Sequence, residues 1–443
     1  MRNSPTVWLT TIFVLIAAGL GLLVGYSGWT VAAALIGVGV MICLLRYPAA
    51  LLATILVFLV LGQFARISSA GGDILILDGL VGMFFLLWLV WAVRFGRVKR
   101  LSLPLILWSG FLLIGLVSLV LGPFALGKQE LAGNGFYWIR LLAYSSLAWS
   151  LPVFITGEED GWRVLKWLLY AGMAIVLLGF VQLRLLPNIG ILAKYGWDPH
   201  VGRLVSTFLD PNYLGGFFAI LLSLVLAWFP LRNWRGWLLT LIIVLATMLT
   251  YSRSGYLAVG IVLLLYGLRY SWKIVAIALI CVVPLTVAIP RIQERVVGAF
   301  HIDTTSQDRI DSWLVALSVS NDYPVTGVGY NSYATAQEHI GALKVGSTSR
   351  AAAGSDSSLL NVLVDTGPLG LGLFLAALGL VWWDADKKRA DTSTPSGVAA
   401  QTLYMVMPAL FIYTWFVNAL FYPFILLILT LLVGVMYSWR GKE

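Results

Sequence analysis

Apolar runs of about 20 residues, following one another along the whole chain, constrain this sequence more than any other feature in it. A helix needs about 20 such residues to cross ~30 Å of hydrocarbon. Stretches of this kind lie near 7–25, 29–45, 49–65, 76–93, 104–122, 138–155, 162–186, 212–230, 236–252, 255–270, 273–290, 358–382, 398–418 and 422–439. Hydrophobic residues make up 60% of the 443 and charged residues 11%, more apolar surface than a water-soluble core can hide. The expected fold class is an all-α integral membrane protein, a polytopic bundle of about 12–14 transmembrane helices. The first run follows a single Arg2 and lacks a small-residue cleavage pattern, so it reads as a retained membrane helix.

Lysines and arginines then set the orientation. With the N-terminus in the cytoplasm, alternate loops carry Arg94, Arg97, Lys99 and Arg100, then Arg163 and Lys166, Arg232 and Arg235, Arg269 and Lys273, Lys387 to Arg389, and Arg440 with Lys442. All fall on one side, as the positive-inside rule requires, and both termini are then cytoplasmic. The net charge of +9 is accounted for by these loops, so nucleic acid is not an implied partner, whereas membrane lipids are. The opposite, outer face holds the two long segments, 187–211 and 291–357. The domain reading is residues 1–200 as N-terminal transmembrane helices and 201–383 as a core with the outer-face loop 291–357. Residues 384–443 form a cytoplasmic loop and the C-terminal transmembrane helices.

Cysteine and histidine usage is sparse. Cys43 and Cys281 each sit inside an apolar run, and His200, His301 and His339 show no HxxxH spacing. Neither a disulfide framework, a metal site nor a cofactor is called for.

Charges at the mouths of membrane helices are costly and each requires a reason. On the outer side these are Arg66, Asp73, Arg140, Arg203, Asp210, Arg253, Asp308, Arg309, Asp311, Arg350, Asp356 and Asp365. Arg140, in "FYWIRLLAYSS", either snorkels to the interface or faces a polar cavity. Arg203 and Arg253 stand beside helix starts, in "GRLVSTFLDPNYLGG" and "TYSRSGYLAVG". Arginines converging there suit a multiply charged anion such as a diphosphate, because guanidinium forks match phosphate oxygens. "DPNYLGG" equally reads as a turn and helix entry, with Asn212 able to cap and Gly215 with Gly216 allowing close helix approach. In the long loop, "DRIDSWLVALSVS" places Ile310, Trp313, Leu314 and Leu317 at helical spacing, predicting an amphipathic helix that lies over the bundle. "GVGYNS" lacks the context of a nucleotide-binding turn. Asp356 opens the helix beginning in "GSDSSLLNVLVDTGPLGLGLF", where it serves either as a helix-capping carboxylate or as a general base for a sugar hydroxyl.

In this order, "GRLVSTFLDPNYLGG", "LTYSRSGYLA", "DRIDSWLVALSVSNDYPVTGVGYNSY" and "DSSLLNVLVDTGPLGLGLF" resemble the O-antigen ligase and O-antigen polymerase family of bacterial envelope enzymes, over residues 200–380. The resemblance implies a membrane-embedded, multi-helix glycosyltransferase of the type C kind, inverting and metal-independent, in the bacterial cytoplasmic membrane with its active face outward. It would take glycan from an undecaprenyl-diphosphate carrier and pass it to a glycan or lipid acceptor. Arg203 looks like the family's arginine before F-x-x-P-N, Arg253 like that of S-R-S-G, and Arg309 like the arginine opening the loop helix; Arg140 is similar by position. These four would hold the donor diphosphate, with Asp356, Arg203 and Arg309 acting in catalysis. Ligases acting on lipid A-core usually show a histidine where Asp356 stands, so the resemblance points to a polysaccharide polymerase ahead of a ligase. A transporter of lipid-linked sugars is the reading from another class; it would show inverted repeats and midplane polar groups, whereas the polar residues here gather at one face.

Overall fold

The computed structural model describes residues 46–69, 72–96, 101–123, 128–231, 233–270, 272, 290–298, 304–342 and 354–438. The apolar runs 7–25 and 29–45 lie outside the described residues, as do residues 273–289 of another run, together with Cys43, Cys281, His301 and Arg350. Two compact units divide at Thr54, inside helix α1 (Pro48–Leu61), and the architecture that follows belongs to the second, Ile55–Glu443.

The other long helices of that unit are α2 (Ile76–Phe95), α3 (Leu103–Leu121), α4 (Lys128–Phe154), α5 (Glu158–Leu185), α6 (Pro211–Trp228), α7 (Trp234–Thr250) and α8 (Arg253–Tyr270). The short helix α9 (Pro290–Val297), the longer α10 (Thr304–Asp322) and the short α11 (Tyr333–His339) follow, then α12 (Ser358–Lys388), α13 (Pro395–Tyr413) and α14 (Pro423–Ser438). Among the described residues the only sheet is a hairpin pairing β1 (Arg66–Ser69) antiparallel with β2 (Gly72–Leu75). Among the described residues six helices are long and apolar enough to cross a membrane: α2, α3, α5, α6, α12 and α13. The protein is an all-α, multi-pass membrane protein.

Helix α6 is the centre of the bundle. All its residues except Asn212, Tyr213 and Trp228 are buried, as expected of a helix that is apolar all round. It starts at Asp210, whose carboxylate accepts the Asn212 and Tyr213 N–H groups at 2.6 and 3.1 Å, with Pro211 in the first turn where no N–H is missed. The cap is thus Asp210 and not Asn212, whose side chain instead accepts the Ser252 hydroxyl at 2.8 Å. Gly215 meets Gly255 of α8 so closely that a Cβ on Gly255 would sit 3.0 Å from the Gly215 Cα, and a Cβ on Gly216 would sit 2.9 Å from the Tyr413 ring. The paired glycines of "DPNYLGG" do allow close helix approach.

Contacts between helix termini sort the bundle into two ends. At one, Gly161 in the first turn of α5 abuts Pro395 at the start of α13, and Trp162 packs on Trp228 at the end of α6. There too Lys388, at the end of α12, and Ser396 both bond the Met436 carbonyl near the end of α14. Arg163, Lys387, Lys388 and Arg389 therefore share this basic end. At the other end, Leu204 bonds Leu249 near the end of α7, Ser252 bonds Asn212, and Ser358 at the start of α12 bonds Thr414 after α13. Arg203, Asp210, Arg253 and Asp356 collect there.

Helix α10 forms where the loop pattern predicts it, but turned. Ala316, Val319 and Ser320 are buried while Leu314 and Leu317 are 60% and 44% exposed, so the packed stripe runs from Arg309 through Ser312, Trp313 and Ala316 to Val319 and Tyr323. The stripe read as Ile310, Trp313, Leu314 and Leu317 is corrected because small residues let α10 lie close on Leu360 and Val364 of α12. Trp313 secures it against Trp415 and Phe416.

Helix α12 breaks at Gly367, where φ is 69° and ψ −178°, just before Pro368. A side chain at Gly367 would collide with the Val325 carbonyl, and one at Gly327 with the carbonyls of Val364 and Asp365. "GVGYNS" is therefore a turn pressed into the broken helix, held by Val328 N–H donating to Val364 O at 2.8 Å and by Ser118 bonding the carbonyls of Thr326 and Asp365.

Gly255→Leu should push α8 off α6 and cost about 1–3 kcal/mol by overpacking. The purified protein should then melt several degrees lower, while Gly260→Leu, on the same helix with open space around it, should leave the melting temperature unchanged.

Candidate functional site

The segment between α5 and α6 is folded on itself before it presents Arg203. Ile189 N–H donates to His200 O at 3.0 Å and Gly202 N–H to Pro187 O at 2.6 Å, with Gly202 in a left-handed turn at φ 61°. Gln182, near the end of α5, then receives the N–H groups of Val205 and Ser206 at 2.9 and 3.2 Å and donates toward Leu186 O. The Arg203 side chain is fixed in turn: its Nε donates to Thr250 O at 2.8 Å and one Nη to Tyr251 O at 3.3 Å. Those carbonyls are available because α7 ends there, in a left-handed Tyr251.

Helix α9 adds two arginines that the motif reading did not include. Arg291 donates to the carbonyls of Val201 and Gly202 at 2.8 and 3.2 Å and lies over the Tyr251 ring at 4.4 Å. Arg295 follows one turn later and acts electrostatically on Arg203. Burial lowers the Arg203 pKa from its ordinary value to about 10, Arg295 and Arg291 push it the same way, and Asp210 opposes them. Arg253 reaches the same helix by donating to Gly298 O at 2.8 Å. Arg203, Arg253, Arg291 and Arg295 thus form one cationic patch. The i, i+4 spacing in "PRIQERVV" was the available signal for the last two.

Arg309 and Asp356 lie elsewhere on the same end. Arg309 opens the packed stripe of α10, and Ser312, one turn on, accepts the Asp356 N–H at 3.2 Å. Arg309 also acts electrostatically on Tyr413, whose hydroxyl donates to Asn212 O at 2.7 Å, so the α10 site joins the start of α6. The N-cap of α12 is Ser357, which accepts the Leu360 N–H, and Asp356 stands one residue outside the helix. The helix-cap reading of Asp356 is displaced by Ser357.

Arg140 belongs to a different neighbourhood. It pairs with Asp78 of α2 at 2.5 Å, and Asp78 also accepts the Tyr144 hydroxyl and the Leu75 N–H. The rings of Phe136 and Tyr137 lie 4.9 and 5.1 Å from its guanidinium. It lines a cavity of about 470 Å³ with Asn134, Asn331, Asn361, Asp365 and Asn418. Arg66, in β1, lies over the Trp197 ring at 4.8 Å.

A second cavity, of about 680 Å³, is almost wholly apolar, with Trp108, Phe374, Met407 and Phe411 in its wall. It shares Phe421 and Leu426 with the polar one. Separately, Asp198, His200 and Asp210 bring potential ligand atoms within 4.8 Å of one another, a grouping that no sequence spacing announced; one Asp210 oxygen there is committed to capping α6.

Residues 238–375 match the O-antigen ligase family, Wzy_C. The resemblance carried by the motifs holds over this stretch, which includes Arg253, Arg291, Arg295, Arg309, Asp356 and Asp365 and stops short of Arg203 and Arg140. The match supports glycan transfer of the O-antigen ligase or polymerase type in a membrane setting. The matched stretch is less than a third of the chain. No curated protein matches the chain significantly.

Gln182→Leu should leave two buried N–H groups without an acceptor, costing about 1–3 kcal/mol each. It should also loosen the segment that carries Arg203. The expected result is a lower melting temperature and a raised KM for the donor, with the KM for the acceptor unchanged.

Proposed function

We propose that the protein is a polysaccharide polymerase, moving glycan from an undecaprenyl-diphosphate carrier to the end of another carrier-linked glycan at the outer face of the bacterial cytoplasmic membrane. The observation that carries this is the convergence of Arg203, Arg253, Arg291 and Arg295 at the end of the bundle opposite the basic loop residues. Under the positive-inside rule that basic end is cytoplasmic, which turns the patch outward.

The reaction is a single displacement. The acceptor hydroxyl oxygen attacks C1 of the donor sugar, the C1–O bond to phosphate breaks, and undecaprenyl diphosphate leaves with the bonding pair, inverting C1. The departing group gains charge as the bond breaks, so fixed cations bind it more tightly in the transition state than in the ground state. Arg203, Arg253 and Arg309 take that role, while Arg140, paired with Asp78 in a different neighbourhood, takes no part, and Asp356 accepts the hydroxyl proton. No metal is required, because the diphosphate is already a weakly basic leaving group. The apolar cavity offers room for a hydrocarbon chain beside the polar one. Asp356 standing where lipid A-core ligases usually carry histidine favours polymerisation over ligation.

Purified protein in lipid, given an undecaprenyl-diphosphate oligosaccharide and no other acceptor, should build chains in steps of the repeat unit. No reaction until lipid A-core is added would instead make it a ligase, and transport without covalent change would overturn both readings. Arg203→Lys keeps charge but loses the fork, and should lower kcat/KM at least tenfold; an unchanged rate would remove Arg203 from the site.

A further inference from the structure

The polar cavity lined by Arg140 and Asp365 has no part in the charge chemistry above, yet it is built as a binding site. At about 470 Å³ it falls among small-molecule sites, which run from roughly 300 to 1,000 Å³. Its polar lining is dominated by amides. Asn331 donates to Asn134 Oδ1 at 3.0 Å, and Asn134 donates to Ser332 at 3.0 Å. Among the described residues the one cation in the wall, Arg140, is paired with Asp78.

Two acceptors in this wall are left over. Asp365 takes the Asn331 N–H on one carboxylate oxygen at 3.0 Å, while its other oxygen, sealed from bulk solvent, has no donor among the described residues. Asn418 Oδ1 is in the same condition. Buried acceptors are almost always paired, so two in one cavity ask for a ligand that supplies hydrogen-bond donors. A diphosphate supplies none at neutral pH. A sugar supplies one from each hydroxyl, and the Tyr330, Tyr137 and Phe421 rings in the wall suit its C–H faces.

We infer that this cavity is the subsite for a neutral sugar of the acceptor glycan, with Asp365 and Asn418 receiving its hydroxyl protons in hydrogen bonds. The inference rests on the glycosyl-transfer reading only for the word acceptor. Its placement comes from Asn361, which lines the cavity and clamps the turn before Asp356, accepting the Ser355 N–H at 2.9 Å and donating to Ser355 O at 3.0 Å. A sugar seated there lies beside the residue proposed to take its proton. The "GVGYNS" turn supplies rigidity: Asn331, left-handed at φ 59°, aims its N–H at Asp365 while its side chain holds Asn134.

The test uses the full-length protein in lipid nanodiscs. One probe is the repeat-unit oligosaccharide released by mild acid from the polysaccharide of cells carrying this protein; the other is undecaprenyl diphosphate without sugar. Asp365→Asn and Asn418→Leu should each weaken oligosaccharide binding at least tenfold and leave undecaprenyl diphosphate binding unchanged, whereas Arg203→Lys should do the reverse. Asn418→Leu removes an acceptor that lacks a donor, so its melting temperature should equal or exceed the wild type's, which keeps the test valid if Asp365→Asn fails to fold. Wild-type oligosaccharide binding in Asn418→Leu and in folded Asp365→Asn, or no binding to the wild type at all, would overturn the subsite. Failure of transfer with Asp365-dependent binding intact would instead remove the polymerase reading and leave the sugar site standing.

Discussion

The backbone contact between Gly215 and Gly255 is the constraint on which the cationic patch depends. Two helices can cross at that distance only if neither carries a side chain at the crossing, and the contact lies within one or two turns of both helix starts. It therefore fixes the separation of Asp210, at the head of α6, from Arg253, at the head of α8. The Ser252 bond to Asn212 locks rotation about the same point. The residues flanking the glycines in both motifs are then explained by one crossing: the short polar ones bond across it and the arginines stand above it. Buried packing near the helix heads converts sequence order into a cluster of charges that would otherwise repel one another apart.

A second seam serves the other half of the site. An unbroken α12 would carry Asp365 in a regular helix with its carbonyl satisfied by the next turn. The left-handed Gly367 and the following proline free that part of the helix, and the 325–329 turn fills the gap with its own N–H and with Ser118. The cost of the break is offset by those bonds, and its consequence is that Asp365 faces Asn331 and not lipid. An ionisable group inside an apolar bundle is retained where it does work that outweighs its desolvation.

How much of this could be read from the chain differs with the kind of signal. The helices outside the loops were legible because twenty apolar residues leave few alternatives, and Arg203, Arg253, Arg309 and Asp356 because each sits beside turn residues at a helix start. The face of α10 was not: periodicity counts large apolar residues, while the packed stripe is chosen by small ones, Ala316 and Ser320, that admit close approach. The cap of α6 moved from Asn212 to Asp210 for a related reason, since Pro211 occupies the first helical position and makes the residue before it the cap. Gln182, Arg291, Asp78 and Asp365 each act through a partner between 23 and 247 positions away, and no local pattern encodes a pairing of that range.

Asp78 matters most among these, because it decides what the two halves of the site can bind. Left alone, Arg140 would extend the positive field of the arginine patch toward the amide-lined cavity, and a diphosphate would be attracted to both. Paired at 2.5 Å to a carboxylate that is itself held by Tyr144 and the Leu75 N–H, Arg140 contributes little net charge to that wall. Each acceptor left unpaired there costs about 1–3 kcal/mol in the absence of a donor, a penalty that hydroxyl groups relieve and phosphate oxygens deepen. On the proposed reading, one end of the bundle offers a cationic seat for the leaving group and a hydrogen-bond-accepting seat for a sugar. Exchange of their occupants is then opposed from both sides, as the proposed transfer between two lipid-borne glycans requires.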